Sequence, residues 1–297
     1  MPCVSGSGTT AYEHMKSTKK AYAKINLGLD VVRRLENGYH EVKMVMQTVG
    51  IYDVLDFERT DGGIVITTDS GELPTDENNL IYKAAKLMME TYPISGGVKI
   101  HLEKHIPIAA GMAGGSTDAA AVLRALNEMT GVNLPVEQLA EIGQRVGSDV
   151  PYCVLGGTAL AEGRGERLTP LTPLPECCAV LCKPPFPVST PELFGRIDSV
   201  KLRCRPDTAG MLEALARRDL EGVGRRLYNV FEDVLPVRRG AEIASIRNAL
   251  IQFGALGACM SGTGPTVFGL VTELDQAQAA QADLKRQYRD VFFCKPV

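Results

Sequence analysis

Residues 106–126, IPIAAGMAGGSTDAAAVLRAL, place a glycine-rich loop directly in front of a strong helix former. Gly111, Gly114 and Gly115 are free to take positive φ, so a ligand can approach the backbone with no Cβ in the way. Ser116, Thr117 and Asp118 are N-cap types, and AAAVLRALNEM after them favours helix. The first turn of such a helix offers unpaired N–H groups and the positive end of the macrodipole, which together suit a phosphate. The same pattern also serves as a plain tight connection. It is not a P-loop, because Gly115 is followed by Ser116 where that motif needs lysine. The G-x-G-x-x-G spacing of a dinucleotide fingerprint is absent too. A bound phosphate would therefore need a cation from elsewhere, such as Lys104, Lys24 or a metal ion.

The 297 residues suit one large or two medium domains, and 45% hydrophobic with 23% charged residues is enough to build a core. A net charge of -3 speaks against nucleic acid as a partner. No apolar run approaches the ~20 residues of a membrane span, so no membrane role is expected. Residues 1–18 are rich in Ser, Gly and Thr, lack the apolar centre of a secretory signal, and read as a flexible tail. The eight cysteines contain no C-x-x-C pair and no histidine neighbours the 177–182 cluster, which points to free thiols in a reducing cytoplasm.

Alternation over residues 19–33 predicts a strand with Ile25, Leu27 and Leu29 on one face and Lys24, Asn26 and Gly28 on the other. Asn37-Gly38 signals a hairpin into a second strand over 41–57. Further strands are expected at 64–68, 97–102, 152–161, 179–183, 257–260, 266–271 and 291–294. Helices are expected at 79–92, after the glycine loop, and at 135–146, 208–217, 220–230, 240–253 and 275–288. The Pro-rich stretch 169–175 reads as an interdomain connection, dividing the chain into 19–168 and 169–297. Strands and helices mix without strict βαβ alternation, which predicts two α+β domains.

Four features carry candidate chemistry. Lys24 shares a strand face with Asn26; such a lysine is ordinarily solvated, or with Asn26 it holds an anionic or polar substrate. Asp149, between a helix and an apolar run, is either a turn aspartate or a general base for a hydroxyl nucleophile, and a nearby lysine would keep it ionised. SGTGP at 261–265 is a bare turn or a second close-approach loop. Tyr39-His40 offers an aromatic face and an imidazole to a planar base.

AKINLGL, PIAAGMAGGSTDAA and MSGTGPTVFGL, in that order, resemble the three motifs of the GHMP small-molecule kinases. The resemblance implies an N-terminal domain like ribosomal protein S5 domain 2, a ferredoxin-like C-terminal domain, and an active site in the cleft between them. AYAKINLGLDVVRRLENGYHEVKMVMQTVGIYD, NNLIYKAA, GSDVPYCVLGGTALAEGRGE and VSTPELF resemble one branch, which uses ATP to phosphorylate the 2-hydroxyl of a cytidine-diphosphate-linked methylerythritol in non-mevalonate isoprenoid synthesis. On that pattern Lys24 and Asp149 are the catalytic pair. Pro107, Ile108, Ala109, Ala110, Gly111, Met112, Ala113, Gly114, Gly115, Ser116 and Thr117 wrap the ATP phosphates, with Asn79 and Lys104 on the nucleotide side. Asn26, Tyr39, His40, Thr190 and Phe194 bind the cytidine substrate, Tyr39 and Phe194 stacking on the cytosine while His40 reads its edge. Mg²⁺ is implied without a carboxylate ligand that the motifs name. A cytoplasmic monomer or weak homodimer is expected. The loop's usual Gly-Leu is Gly111-Met112, and its usual Ser-Ser is Ser116-Thr117, which adds a methyl beside any metal ion or phosphate. The competing readings are a GHMP kinase for another alcohol, such as homoserine or mevalonate, and a non-catalytic nucleotide sensor on the same fold.

Overall fold

A computed structural model describes residues 15–202 and 204–297. Two long strands, β1 (Lys16–Arg34) and β2 (His40–Thr60), form an antiparallel hairpin whose turn holds Gly38 at φ 84°. Then come β3 (Ile64–Thr68), α1 (Leu80–Thr91), β4 (Gly97–Glu103), α2 (Gly114–Met129), α3 (Val136–Gln144), α4 (Val150–Leu155), β5 (Thr158–Glu162) and β6 (Arg167–Pro170). The second half contains β7 (Cys178–Lys183), α5 (Thr190–Ile197), α6 (Thr208–Ala216), α7 (Leu220–Gly224) and β8 (Tyr228–Asn229). A 3-10 turn (Val230–Val234), α8 (Val237–Gln252), β9 (Gly257–Met260), β10 (Val267–Val271), α9 (Leu274–Leu284) and β11 (Asp290–Cys294) complete it.

The first sheet runs β3-β4-β2-β1-β8, with β5 and β6 paired off β2. The second runs β11-β7-β10-β9 with antiparallel neighbours, which is the fourth-first-third-second order of a ferredoxin-like βαββαβ unit. The sequence expectation of two α+β units holds. Period-two patterning decides the packing. Ala179 and Leu181 of β7 share a buried cluster with Ile25, Leu27 and Val45 of the first sheet. The intervening Cys178, Val180 and Cys182 belong instead with Ile243, Ile246 and Leu250 of α8. The first sheet's other face packs on α1 and α2 through Leu55, Phe57, Ile81, Met88 and Leu123.

The halves interlock. β8 adds to β1 in parallel, pairing Gly28 with Tyr228 and Leu29 with Asn229, and Val297 N donates to Thr48 O at 3.0 Å. Among the described residues no helix is long and apolar enough to cross a membrane. Cys153, Cys177, Cys178, Cys182, Cys204, Cys259 and Cys294 are free, and burial pushes the Cys177 and Cys182 thiols up to about 12.

Five local expectations need correction. Residues 16–18, read as tail, pair with Glu58, Phe57 and Asp56 in the hairpin; residues 1–14 lie outside the described residues. The first sheet continues to Pro170, two residues into the supposed connection. Residues 152–155 are helical, because Pro151 suits the first turn of α4 and Gly156 at φ 73° ends it. The helix expected at 220–230 stops at Gly224, and Tyr228-Asn229 turns into the first sheet. Lastly, β1 bulges at Leu27: Asn26 pairs Met46 but Gly28 pairs Val45. That extra residue moves Leu29 opposite Met44, onto the face of Lys24 and Asn26, and takes Gly28 off it.

Candidate active site

A cleft of about 890 Å³ runs along this face of β1, between the glycine loop, α4, α5 and the 261–265 turn. Strand alternation and the bulge aim Lys24, Asn26 and Leu29 into it, while Ile25 and Leu27 anchor the strand beneath. Lys24 is only 4% exposed. Its Nζ donates to Asn26 Oδ1 at 2.7 Å and to Gly111 O at 3.2 Å, and lies 3.9 Å from Asp149 Oδ2. Three acceptors thus hold one buried ammonium at the cleft floor, which settles the solvated-lysine alternative. Asp149 occupies the N-cap position of α4, yet its side chain makes no cap bond, so the carboxylate stays turned to the cleft with its side chain 35% exposed.

The glycine loop differs from the sequence expectation in an informative way. Its left-handed residues are Ala109 (φ 51°), Gly111 (φ 74°) and Ala113 (φ 58°), every second position, whereas Gly114 and Gly115 are helical. Two alanines in this region cost about 1–2 kcal/mol each, strain of the kind that collects at functional sites. Left-handed residues alternating with right-handed ones are the backbone form of an anion nest. Met112 O accepts from Lys24 N at 3.1 Å, and Gly111 O accepts from Ser261 Oγ at 2.9 Å.

Helix α2 begins at Gly114 with Ala113 as its N-cap, so Ser116, Thr117 and Asp118 lie inside the first turns and do not cap it. Ser116 lines the cleft. Thr117 does not, because its hydroxyl donates to Tyr22 O at 2.7 Å and its side chain is buried. The extra methyl of Thr117 therefore sits in the core and crowds no ligand in the cleft. A Cβ at Gly114 would come within 2.8 Å of Lys104 Nζ and 3.2 Å of Ile106 Cγ2, so packing here favours glycine.

Lys104 and Asn79, assigned to the nucleotide side from sequence, are not brought to this cleft. The Lys104 ammonium lies under α2 between Asp53 and Asp118, all three buried. Asp53 also accepts the N–H groups of His105 and Ile106 at 2.6 and 2.7 Å, fixing the approach to the loop. Burial raises the Asp118 carboxyl well above its ordinary range despite Lys104. Asn79 caps α1, accepting from Ile81 N at 2.9 Å and donating to Pro74 O at 2.7 Å.

At the far end of the cleft, His40 stacks on Phe194 with ring centroids 4.6 Å apart, and Phe194 meets Phe231 edge-on at 5.0 Å. His40 Nε2 bonds Asp198 Oδ1 at 2.8 Å, and Arg34 Nη1 approaches Asp198 Oδ2 at 3.7 Å. One face of Phe194 is therefore covered by His40, a ring that the sequence expectation set against the edge of the cytosine. Tyr39 stays exposed, with the Arg164 guanidinium 4.5 Å over its ring. Thr190 shares a 2.8 Å hydrogen bond with Thr263, tying α5 to the 261–265 turn. Asn229 steadies that turn by donating to Met260 O and Gly262 O, each at 2.7 Å.

Sequence reasoning missed Arg34, Leu29, Asp198, Arg164 and Asn229. Asp198 follows Phe194 by one helical turn, a spacing that signals a shared face; Arg34, Leu29 and Arg164 reach the cleft, and Asn229 its supporting turn, only through tertiary pairing. Among the described residues no group of three or more His, Cys, Asp or Glu side chains is placed to hold a metal ion.

The sequence matches the family models described as GHMP kinases N terminal domain, over residues 79–157, and GHMP kinases C terminal, over residues 211–290. The chain belongs to the GHMP kinase family. This GHMP kinase is 44% identical over 278 residues to the 4-diphosphocytidyl-2-C-methyl-D-erythritol kinase of Clostridium botulinum, covering 94% of the chain and 99% of that relative. It is 47% identical over 270 residues to the enzyme of that name from Lachnospira eligens, covering 90% and 93%. Its fold superposes on a crystal structure of 4-(cytidine 5'-diphospho)-2C-methyl-D-erythritol kinase with a TM-score of 0.80 at 34% identity, over 94% of this chain and 99% of that one. ATP is the phosphoryl donor of the family.

Proposed function

We propose that this GHMP kinase transfers the γ-phosphoryl group of ATP to the 2-hydroxyl of 4-diphosphocytidyl-2-C-methyl-D-erythritol, in non-mevalonate isoprenoid synthesis. The observation that carries the reading is one continuous cleft that joins a strained glycine loop, a buried lysine beside a cleft-facing carboxylate, and an aromatic pocket.

In this reading the 109–116 backbone and the first turn of α2 take the ATP phosphates. The acceptor hydroxyl sits at Asp149, with Lys24 holding the attacking oxygen and the transferring group. As the oxygen–phosphorus bond forms, Asp149 takes the hydroxyl proton and the bond to the bridging oxygen breaks, releasing ADP. Catalysis then comes from positioning and charge stabilisation, with no covalent enzyme intermediate. Asn26 and the Gly111 carbonyl fix Lys24, so one lysine rotamer serves both loop and base. Cytosine docks against Tyr39 near the His40–Phe194 pair, with Thr190 on the adjoining wall.

Mg²⁺ fits as an ion carried by ATP. Ser116 and Asp149 supply cleft-facing oxygens but no protein cage exists among the described residues, and Mg²⁺ characteristically keeps waters and phosphate oxygens as ligands. When bound it would neutralise phosphate charge. Every group in this reading comes from one chain, so a monomer or weak homodimer suffices.

The test is an ATP-consumption assay with three acceptors: the cytidine-linked methylerythritol, homoserine and mevalonate. Turnover confined to the first, with one phosphate added per ATP consumed, is expected. Equal or faster turnover of a small free alcohol overturns the acceptor assignment, and ATP binding without turnover of any acceptor overturns the kinase assignment in favour of a sensor.

A further inference from the structure

The turn between β5 and β6 brings a further cation to the cleft wall. Gly163 and Gly165 take φ 72° and 109°, and Arg164 between them donates its backbone N–H to Glu166 Oε2 at 2.6 Å. The turn's own acid is thereby engaged by the backbone. The Arg164 side chain lines the cleft, lies over Tyr39, and has no carboxylate partner among the described residues. The other cations of the wall are engaged: Lys24 by Asn26, Gly111 O and Asp149, and Arg34 by Asp198.

The position of the turn matters as much as its charge. Gly165 packs against the segment that carries the base, since a Cβ there would lie 3.4 Å from Met44 Cε and 3.8 Å from Ser148 O, one residue before Asp149. The turn that carries Arg164 therefore reaches from Tyr39 at the aromatic end of the cleft to the segment beside Asp149 at its reacting end. An acceptor with cytosine at Tyr39 and its hydroxyl at Asp149 must pass this turn with the diphosphate that joins the two. A guanidinium resting over an aromatic ring keeps its forked N–H donors, a geometry that suits phosphate oxygens.

We infer that Arg164 binds the diphosphate of the acceptor and so selects nucleotide-linked alcohols over free ones. This rests on the acceptor assignment above, and the test separates the two. Arg164→Gln and Arg164→Lys are compared with the unsubstituted enzyme for KM of the cytidine-linked acceptor, KM of ATP, and direct binding of CDP and of cytidine by calorimetry. The Gln variant should raise acceptor KM and weaken CDP roughly 10-fold, the scale of one lost charge-assisted bond, leaving ATP KM and cytidine affinity within about twofold. Lysine should recover part of the loss. Equal weakening of CDP and cytidine would mean that Arg164 only shields Tyr39, and no change in either overturns the inference outright. Failure of the unsubstituted enzyme to turn over the acceptor refutes the parent reading, while the CDP and cytidine measurements still decide the anion site.

Discussion

Replacing Lys104 with methionine tests whether the cation beneath the glycine loop acts on the fold or on the nucleotide. Its ammonium lies 3.1 Å from Asp118 Oδ2 and also bonds Asp53, with side-chain exposures of 6%, 2% and 0%. At an effective dielectric of about 20, a unit-charge pair at that separation is worth roughly 5 kcal/mol before desolvation. Breaking a buried pair from one side costs about 3–5 kcal/mol. Asp53 keeps the His105 and Ile106 N–H groups, but Asp118 Oδ1 has no hydrogen-bond partner, so Asp118 takes the larger share. Lys104→Met should therefore lower unfolding free energy by about 3–5 kcal/mol at pH 8, seen as a fall in the urea midpoint and a Tm drop of roughly 10 °C.

The pH dependence of that variant has a definite sign. Burial already raises the Asp118 carboxyl, Lys104 pulls it down, and Asp53 pushes it up. Without Lys104 it rises further. A carboxyl raised in the folded state contributes stability that is full below its unfolded value and is lost as pH rises through the folded one. The deficit against the unsubstituted protein should thus be greatest at pH 8 and shrink towards pH 5, and adding Asp118→Asn should recover part of it. A loss below about 1 kcal/mol, a deficit that grows on acidification, or unchanged stability with a raised ATP KM would refute this reasoning and return Lys104 to the nucleotide.

Two further outcomes follow from the cleft. Tyr39→Ala should raise acceptor KM roughly 10-fold, since an offset aromatic contact adds about 1 kcal/mol to the area it buries, while ATP KM stays within twofold in steady-state assays; equal loss for both would sink the base-docking role of Tyr39. Gly111→Ala places a Cβ against the Ser261 carbonyl at a φ of 74°, pushing apart the two loops that frame Lys24. Turnover should fall about 100-fold, the cost of a misplacement near 1 Å, and activity within fivefold of the unsubstituted enzyme would show that loop contact is not needed.

How much of this was legible in the sequence depends on how local the determinant is. The hairpin at Asn37-Gly38, the helix after the glycine loop, and the strands 64–68 and 257–260 are set by neighbouring residues, and they appear where period and turn chemistry place them. Lys24 and Asn26 share a face by strand alternation alone. Leu29 joins them only because of the bulge at Leu27, which is set by pairing with β2 and leaves no local mark. The glycines of the loop misled for a related reason. Contact with Lys104, Ile106 and Leu80 explains helical Gly114 and Gly115, so the left-handed turns fall to Ala109 and Ala113. Lys104 carries the same charge whether it meets phosphate or buried carboxylates, and only the partners Asp53 and Asp118 show which. Asp198, Arg34 and Arg164 come from three separate segments that share nothing in the chain but the cleft they line.

In the proposed reaction a carboxylate 3.9 Å from a buried lysine accepts the proton of the acceptor hydroxyl. Asp149→Asn keeps the shape of that group and removes its basicity, so turnover of the cytidine-linked acceptor, measured with ATP affinity on the same preparation, tests that step most directly. The expected result is a fall in kcat of at least about 100-fold with ATP binding retained. Near-normal kcat in that variant would contradict it.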